Sequence, residues 1–471
     1  MNDLTIATSP PGPRRFHGLG VEADAYIFDD TNRACGVGND DLALLERRLR
    51  ALRPALARLF VDVAWVNPSL DGVTMEWTQA SYANLIRQLR ILEGLGTSVN
   101  LVLFQPLPAA GADMTPAVRA MLSLLERLRG EEGLHGIRWL TLWNEPDSLF
   151  WHDSPLYDRV FGAGARARRP RWDEYVRLNR LAHNELSRRR LAPAVRLLVG
   201  DTVWGAPMRM ERMRLCVEAF ADLDVDYGYH SYNPEDLAFY RGNPDFAYPG
   251  MAAEAAAFRA LLGPGRTLIL WEFNTCGLAG FHSHFAGVGP GGVDQVSSVA
   301  GAVEVVAKVL EAAAAGVDGF CLWCLHDMMY CGTQAQGQML FGLWRYKWQK
   351  WLVRPLYHYY APLVAALRPG VALRPVGGAP AGVHAIVGDS GKARTAVLLN
   401  SGSRAVTVCL PWQGPGERRR VRPGRLPAES DLPWNETESA DPVGGRLALR
   451  LAAQELSVVT GSRGARGARR G

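Results

Sequence analysis

The sequence predicts an α/β chain, a (β/α)8 TIM barrel followed by an antiparallel β-sandwich, and three observations predict it. Eight runs that read as strands alternate with eight helical patterns over about 350 residues, the count and size of such a barrel with insertions. The fourth run leads into Glu145 and the seventh ends at Glu272, at the strand ends where a barrel of this kind carries its chemistry. After Pro369 the helical pattern gives way to short apolar runs split by Gly, Pro, Ser and Asp, the texture of a sandwich. A doubly wound open sheet is the competitor, but the glycine-rich phosphate loop expected near its first strand is absent.

In chain order, Phe16–Glu22 reads as the first strand, closed by the acids Glu22 and Asp24. Helical leucine spacing then runs over Asp40–Leu52, with Asn39 or Asp40 able to cap it. The second strand is Arg58–Val63. A helix over Tyr82–Leu95 stops at Gly94 and Gly96. Val99–Phe104 is the third strand, and Pro116–Leu128 is a helix with proline in its first turn. Ile137–Trp143 is the fourth strand, followed by a long excursion, Asp147–Pro170, of the kind that is usually functional. Helix Trp172–Arg190, strand Arg196–Asp201, helix Met208–Leu223 and strand Asp226–Tyr232 come next. Met251–Leu262 is an alanine-rich helix. Thr267–Glu272 is the seventh strand, with a glycine-rich excursion to Gly292. A long helix over Asp294–Ala315, the eighth strand Gly319–Trp323 and a last helix Trp348–Leu367 close the barrel. The sandwich strands are Val371–Leu373, Val383–Val387, Thr395–Asn400, Ala405–Leu410, Arg446–Leu451 and Glu455–Thr460, with Leu4–Ala7 a further candidate. The expected division is a barrel over 1–369, a sandwich over 370–462 and a basic tail over 463–471.

Composition narrows the function. The chain has 471 residues, 48% of them hydrophobic, with 14 Trp that could serve as sugar platforms. Net charge is +5, and Lys308, Lys347, Lys350 and Lys392 are the only lysines among 52 basic residues. That arginine bias runs through the whole chain, so it marks composition and not a nucleic-acid surface. No apolar run has the length of a bilayer span or a signal peptide, so the expected partners exclude nucleic acid and membrane, and the expected location is the cytoplasm. An export signal lost with a misassigned start codon is the alternative. The seven cysteines are an odd number, and several lie in apolar runs, as buried free thiols do.

The chemistry centres on Trp139-Leu140-Thr141-Leu142-Trp143-Asn144-Glu145-Pro146. Pro146 cannot donate to a ladder, so the strand ends there and leaves Asn144 and Glu145 at its carboxyl end. Glu272 ends Thr267-Leu268-Ile269-Leu270-Trp271-Glu272 in the same way. Strands four and seven face one another across a barrel mouth, so the two acids can flank one bond. A pair of carboxylates is what glycoside hydrolysis requires, one to protonate the leaving oxygen and one to attack the sugar carbon.

Trp143-Asn144-Glu145-Pro146 with Trp271-Glu272-Phe273-Asn274 resembles the large clan of retaining (β/α)8 glycoside hydrolases. The Glu272-Phe273-Asn274-Thr275 run and the Trp323 to Phe341-Gly342-Leu343 segment most resemble family 39, which holds β-xylosidases and α-iduronidases and carries a β-sandwich beside its barrel. Families 5, 30, 51 and 79 are the competitors. Trp271 departs from the threonine that family 39 often has there. The resemblance implies Glu145 as acid/base and Glu272 as nucleophile. It implies that Asn144 bonds the sugar 2-hydroxyl, that Arg58 holds the nucleophile ionised, and that the Tyr232 hydroxyl donates to it. His230 matches the strand-six pattern of the same site, a buried, satisfied histidine being its other reading. Trp323 resembles the tryptophan that floors the sugar subsite; ordinary core is the alternative. Trp65, Trp151 and Trp204 are weaker platform candidates.

Two metal-like patterns are set aside. Cys321-Leu322-Trp323-Cys324 lies on a buried strand with no second pair at ribbon spacing. His282-Ser283-His284 and His326-Asp327 are more naturally partners of sugar hydroxyls. The expectation is a retaining glycosidase that needs no cofactor and no metal and acts on a carbohydrate or glycoside. A transglycosylase on the same site and a non-catalytic carbohydrate-binding barrel are the alternatives. Neither the sugar nor the oligomeric state is written in the sequence.

Overall fold

The computed structural model describes residues 2–7, 15–24, 27–103, 113–149, 172–203, 206–232, 249–275, 295–329 and 338–462. Eight parallel strands close into a barrel: β1 Gly18–Glu22, β2 Leu56–Val61, β3 Ser98–Leu103, β4 Ile137–Thr141, β5 Arg196–Thr202, β6 Asp226–Ser231, β7 Leu268–Phe273 and β8 Gly319–Leu322, with β8 pairing back to β1. A helix follows each strand in turn: Asn39–Leu52, Ala80–Gly94, Thr115–Gly130, Trp172–Arg188, Ala206–Ala219, Met251–Leu262, Val299–Ala315 and Pro355–Ala366. Phe104, the last residue of the expected third strand, falls outside the described residues.

The strands alternate. On β2, Ala57, Leu59 and Val61 face the helices in the large outer core, while Leu56 faces the barrel interior with Trp139, Leu198, Ile269, Trp271 and Cys321. Trp139 and Trp271 meet edge to face at 5.5 Å, so the barrel floor is a packed aromatic plug and not a pore.

The last two helices start later than the sequence pattern suggests. Val299–Ala315 is capped by the Ser298 hydroxyl, which accepts from Gly301 N–H at 2.9 Å, and only a single 3-10 turn, Gln295–Ser297, precedes it. The predicted span Trp348–Leu367 is broken for two turns. Lys350 and Trp351 have φ of 55° and 53°, Arg354 is extended, and Pro355 opens the helix at Pro355–Ala366.

Beyond the barrel lie two antiparallel-rich sheets. Seven strands run in the order 436–440, 416–421, 456–462, 393–400, 383–389, 372–377 and 5–6, and three in the order 2–3, 406–411 and 446–451. Thr5–Ile6 pairs antiparallel with 376–377, and Asn2–Asp3 pairs parallel with 408–409. Val387, Leu398 and Val459 pack toward the smaller sheet, whereas Ile386, Val397, Leu399 and Val458 join the barrel's outer core. One sheet thus seals two hydrophobic layers. Gly416–Val421 and Glu436–Ala440 are strands that the sequence reading lacked; their charges disguise them. No helix among the described residues is long and apolar enough to cross a membrane.

Candidate active site

The carboxyl ends of β2 and β4–β8 converge on one cluster of charged groups. Two β-bulges build it. On β5, Gly200 pairs with Gly228 and Thr202 with Tyr229, so Asp201 is an extra residue. On β7, Leu270 pairs with Tyr229 and Glu272 with His230, so Trp271 is extra. Leu198 and Ile269 face the interior, and unbroken alternation would send Asp201 and Glu272 outward. Each bulge reverses that parity and turns its acid into the mouth. Backbone at φ 91° for Gly200 and 52° for Asp201 accommodates the first. The second needs room on β6, since a Cβ on Gly228 would lie 2.6 Å from Trp271 Cδ1.

Arg58 is the hub. Fully buried, it lies with its guanidinium 4.7 Å from the Phe60 ring centre. It donates through Nη1 to Glu272 and through Nη2 to Asp201 and to Asn144 Oδ1, the last at 2.9 Å. Tyr232 donates its hydroxyl to Glu272 Oε2 at 2.9 Å. His230 stands between the acids: Nδ1 is 3.1 Å from Glu145 Oε1 and 3.4 Å from Glu272 Oε2, and Nε2 is 3.0 Å from Asp201 Oδ1. Glu145 leaves the strand at φ 48° and keeps 28% of its side chain exposed, whereas Glu272 is 5% exposed. Trp323, just past β8, packs edge-on to Phe60 with ring centres 5.5 Å apart and directs Nε1–H to Met339 Sδ at 3.1 Å. Glu145, Glu272, Asn144, Arg58, His230 and Tyr232 therefore meet in one cluster, and Trp323 adjoins it through Phe60.

Burial pushes the Glu272 carboxyl above the ordinary 4.5, against the pull of His230 and Arg58 and with the push of Glu145 and Asp201. The resemblance implied the reverse, because it counts the arginine and not the desolvation. Burial also opposes charge on His230, but Glu272, Asp201 and Glu145 outweigh it and raise the ring to about 10. Asp201, equally buried, is held below 3.8 by Arg58 and His230. The Tyr232 hydroxyl is driven well above 10 by burial and by Glu272, so it remains a donor.

A second tier of buried polar contacts ties the strand ends together. Asp147, two residues beyond Glu145, accepts from Val203 N–H at 3.0 Å and lies 3.4 Å from Arg212 Nη1. Arg209 donates to Val203 O and to Glu254 Oε1, both at 2.9 Å, and Ser231 Oγ reaches Glu254 Oε2 at 3.4 Å. Asp201, Asp147, Arg209 and Glu254 were missed in the sequence. Asp201 did leave a signal, an acid after a glycine at the end of the fifth strand; the others sit at helix positions that look like solvated charge.

Glu145, His230 and Glu272 offer ligand atoms within 4.8 Å of one another, the one such group among the described residues. Arg58 bonds Glu272 and lies 3.3 Å from His230, so a cation there would meet a fixed positive charge. Cys321 and Cys324 are buried free thiols. The Asp327 carboxylate is taken by Arg354, at 2.6 and 2.9 Å, and His326 Nδ1 donates to Asp327 O at 2.8 Å. Trp65 ends a 3-10 turn, Val63–Trp65, and is partly buried. Trp151, Trp204, His282 and His284 lie outside the described residues. Chemically, the cluster offers one partly open carboxyl and one buried carboxyl braced by an arginine, a tyrosine and an imidazole.

No family model matches the sequence, and no curated protein does. Solved structures match the fold over nearly the whole length. The catalytic domain of a family 30 xylanase C from Talaromyces cellulolyticus aligns with a TM-score of 0.67 at 11% identity, covering 98% of this chain and 100% of that one. A family 30 subfamily 8 xylanase from Clostridium acetobutylicum gives 0.64 at 13%, with 98% and 100% covered. A family 51 α-L-arabinofuranosidase from Bifidobacterium longum gives 0.58 at 11%, with 98% and 99% covered. Barrel and sandwich are thus a shared architecture.

Proposed function

We propose that the chain is a retaining glycoside hydrolase with Glu145 as acid/base and Glu272 as nucleophile, acting on a carbohydrate or glycoside. The observation that carries this reading is the approach of the two carboxyl groups: ligand oxygens of Glu145 and Glu272 lie within 4.8 Å of one another at the carboxyl end of a barrel. Retaining enzymes hold their acids about 5–5.5 Å apart, and inverting enzymes need roughly 6.5–9.5 Å to admit a water between sugar and base.

In the first step Glu145 gives its proton to the glycosidic oxygen as Glu272 attacks the anomeric carbon, so the leaving group departs as an alcohol and a glycosyl–Glu272 ester remains. In the second, Glu145 takes a proton from water, the water oxygen attacks the same carbon, and Glu272 is released as a carboxylate. Arg58 and Tyr232 stabilise that carboxylate each time it forms. Asn144, fixed by Arg58, is the candidate partner of the sugar 2-hydroxyl, and Trp323 of the sugar face.

The likeness in fold to proteins named as xylanases, an endo-β1,6-glucanase and an arabinofuranosidase supports a carbohydrate substrate. Families 30 and 51 are named among them and were already competitors to family 39, so the reading is made at the level of the clan. Assay of the purified protein against a panel of aryl glycosides tests it. Turnover of at least one member, abolished in Glu145 and Glu272 variants, is expected. Sugar binding without turnover across the panel would favour a non-catalytic barrel instead.

A further inference from the structure

Asp201 has no part in the two-glutamate scheme, yet it is bonded to both cations of the centre. One oxygen accepts from Arg58 Nη2 and the other faces His230 Nε2 at 3.0 Å, with the residue 1% exposed. The environment of the imidazole is correspondingly lopsided. Nε2 has Asp201 Oδ1 at 3.0 Å and Arg58 Nη1 at 3.3 Å; Nδ1 has Glu145 Oε1 at 3.1 Å and Glu272 Oε2 at 3.4 Å. The Asp201 carboxylate can only accept, so Nε2 meets it by donating, and Nε2 then has no lone pair for the Arg58 N–H at 3.3 Å. With Nε2–H committed there, the proton on Nδ1 is the one that faces the two glutamates.

The backbone is shaped for this contact. Asp201 is the extra residue of the β5 bulge, in the left-handed region at φ 52°, and without the bulge its carboxylate would face the outer core. A carboxylate on the far nitrogen of an imidazole fixes its orientation and tautomer and stabilises its cationic form, as an aspartate does for a histidine in hydrolytic triads. Here the near nitrogen also faces carboxylate oxygens, at 3.1 and 3.4 Å. We infer that Asp201 is a positioning residue for the reaction, holding His230 as an imidazolium whose Nδ1–H is presented between Glu145 and Glu272. The inference rests on the glycosidase reading for its catalytic meaning, but not for its structural content. His230 is faced by Glu145, Asp201, Glu272 and Arg58, so one cationic ring brings the group to two positive and three acidic side chains. In the second step the imidazolium steadies both carboxylates, Glu272 as it leaves and Glu145 before it takes the water proton.

The test is ring-nitrogen NMR of histidine-labelled protein, without substrate, together with kinetics. In the wild type both His230 nitrogens should be protonated at about pH 8, where an unperturbed histidine has lost its proton. A neutral His230 there would overturn the proposal, and this arm requires no variant to fold. Asp201→Asn keeps the shape and tolerates the left-handed backbone, but removes the charge. Its His230 should deprotonate at least about one pH unit lower. Its kcat should fall about 10–100-fold with KM nearly unchanged. A folded Asp201→Asn protein with wild-type histidine titration, or with wild-type kcat, would overturn the proposal. Failure of the glycosidase reading looks different: no aryl glycoside would be turned over, or turnover would survive in Glu145 and Glu272 variants, whatever the state of His230.

Discussion

Glu272 in the barrel mouth and Glu455 in the sandwich are both buried glutamates bonded to an arginine, and they are shifted in opposite directions. Glu455 accepts from Arg418 at 2.7 Å, from Arg420 at 2.9 and 2.8 Å, from Ser457 at 2.8 Å and from Ala452 N–H at 3.2 Å. Burial pushes it up, but these donors outweigh burial and hold it below 4.5. Its neighbourhood is also balanced, with Arg418 and Arg420 set against Glu455 and Glu438. Glu272 has fewer donors and stands beside Glu145 and Asp201, so burial and like charge prevail. An arginine alongside does not decide the state of a buried acid; the number of donors and the sign of the remaining neighbours do. The sandwich network is closed and serves stability. The mouth carries surplus acid, which the proposed pairing of nucleophile and proton donor would require and which a fold built for stability alone would avoid.

The largest expected effect separates the two glutamates outright. Glu272→Gln should lose turnover by about 10⁴-fold or more on every substrate, while its thermal unfolding midpoint stays level or rises, because one surplus charge is gone. Glu455→Gln should do the opposite, keeping kcat but losing about 3 kcal/mol of stability as Arg418 is left under-compensated. Matched melts and initial rates of the two variants check the pair; a strongly destabilised Glu272→Gln would break the comparison.

Next in size, Glu145→Ala should lose about 10²–10⁴-fold on substrates whose leaving oxygen needs a proton, and far less on activated aryl glycosides. Azide should restore turnover of the latter as a glycosyl azide of retained configuration. An equal loss on both classes would remove Glu145 from the acid/base role.

The smallest effect is in pH. Glu455, depressed, contributes stability that is fully present above the ordinary carboxylate range and lost as pH falls through its lowered value, so its variant and the wild type should converge in acid. Glu272, raised, carries no penalty below 4.5 and an increasing one as pH climbs through its elevated value, so its variant gains over the wild type only on the neutral side. The acid limb of activity should accordingly lie above pH 4.5, since the nucleophile must be ionised. An acid limb unchanged by replacement of Glu272 would contradict this.

What could be read from the sequence followed from periodicity and from where strands stop. Most barrel strands appear as apolar runs because both faces of a barrel strand are buried, and Glu145 stands out because Pro146 ends its strand. Asp201 did not stand out. Its place in the site depends on a bulge, and counting residues along β5 by alternation puts it on the wrong face. Strand Gly416–Val421 was hidden for a related reason: Arg418 and Arg420 are charged residues that face buried Glu455 and not solvent, a pairing of residues far apart in the chain. The late start of Pro355–Ala366 reflects two left-handed residues, Lys350 and Trp351, whose types give no warning of it.

The configuration of the first-formed sugar tests the central claim most directly. Proton NMR of a hydrolysis in progress, recorded before mutarotation, distinguishes the two anomers of the product. Ligand oxygens of Glu145 and Glu272 lie within 4.8 Å, an approach that suits the proposed double displacement better than a water-bridged inversion, so the product should carry the anomeric configuration of the substrate. First-formed product of inverted configuration would contradict the account, even if both glutamates proved essential.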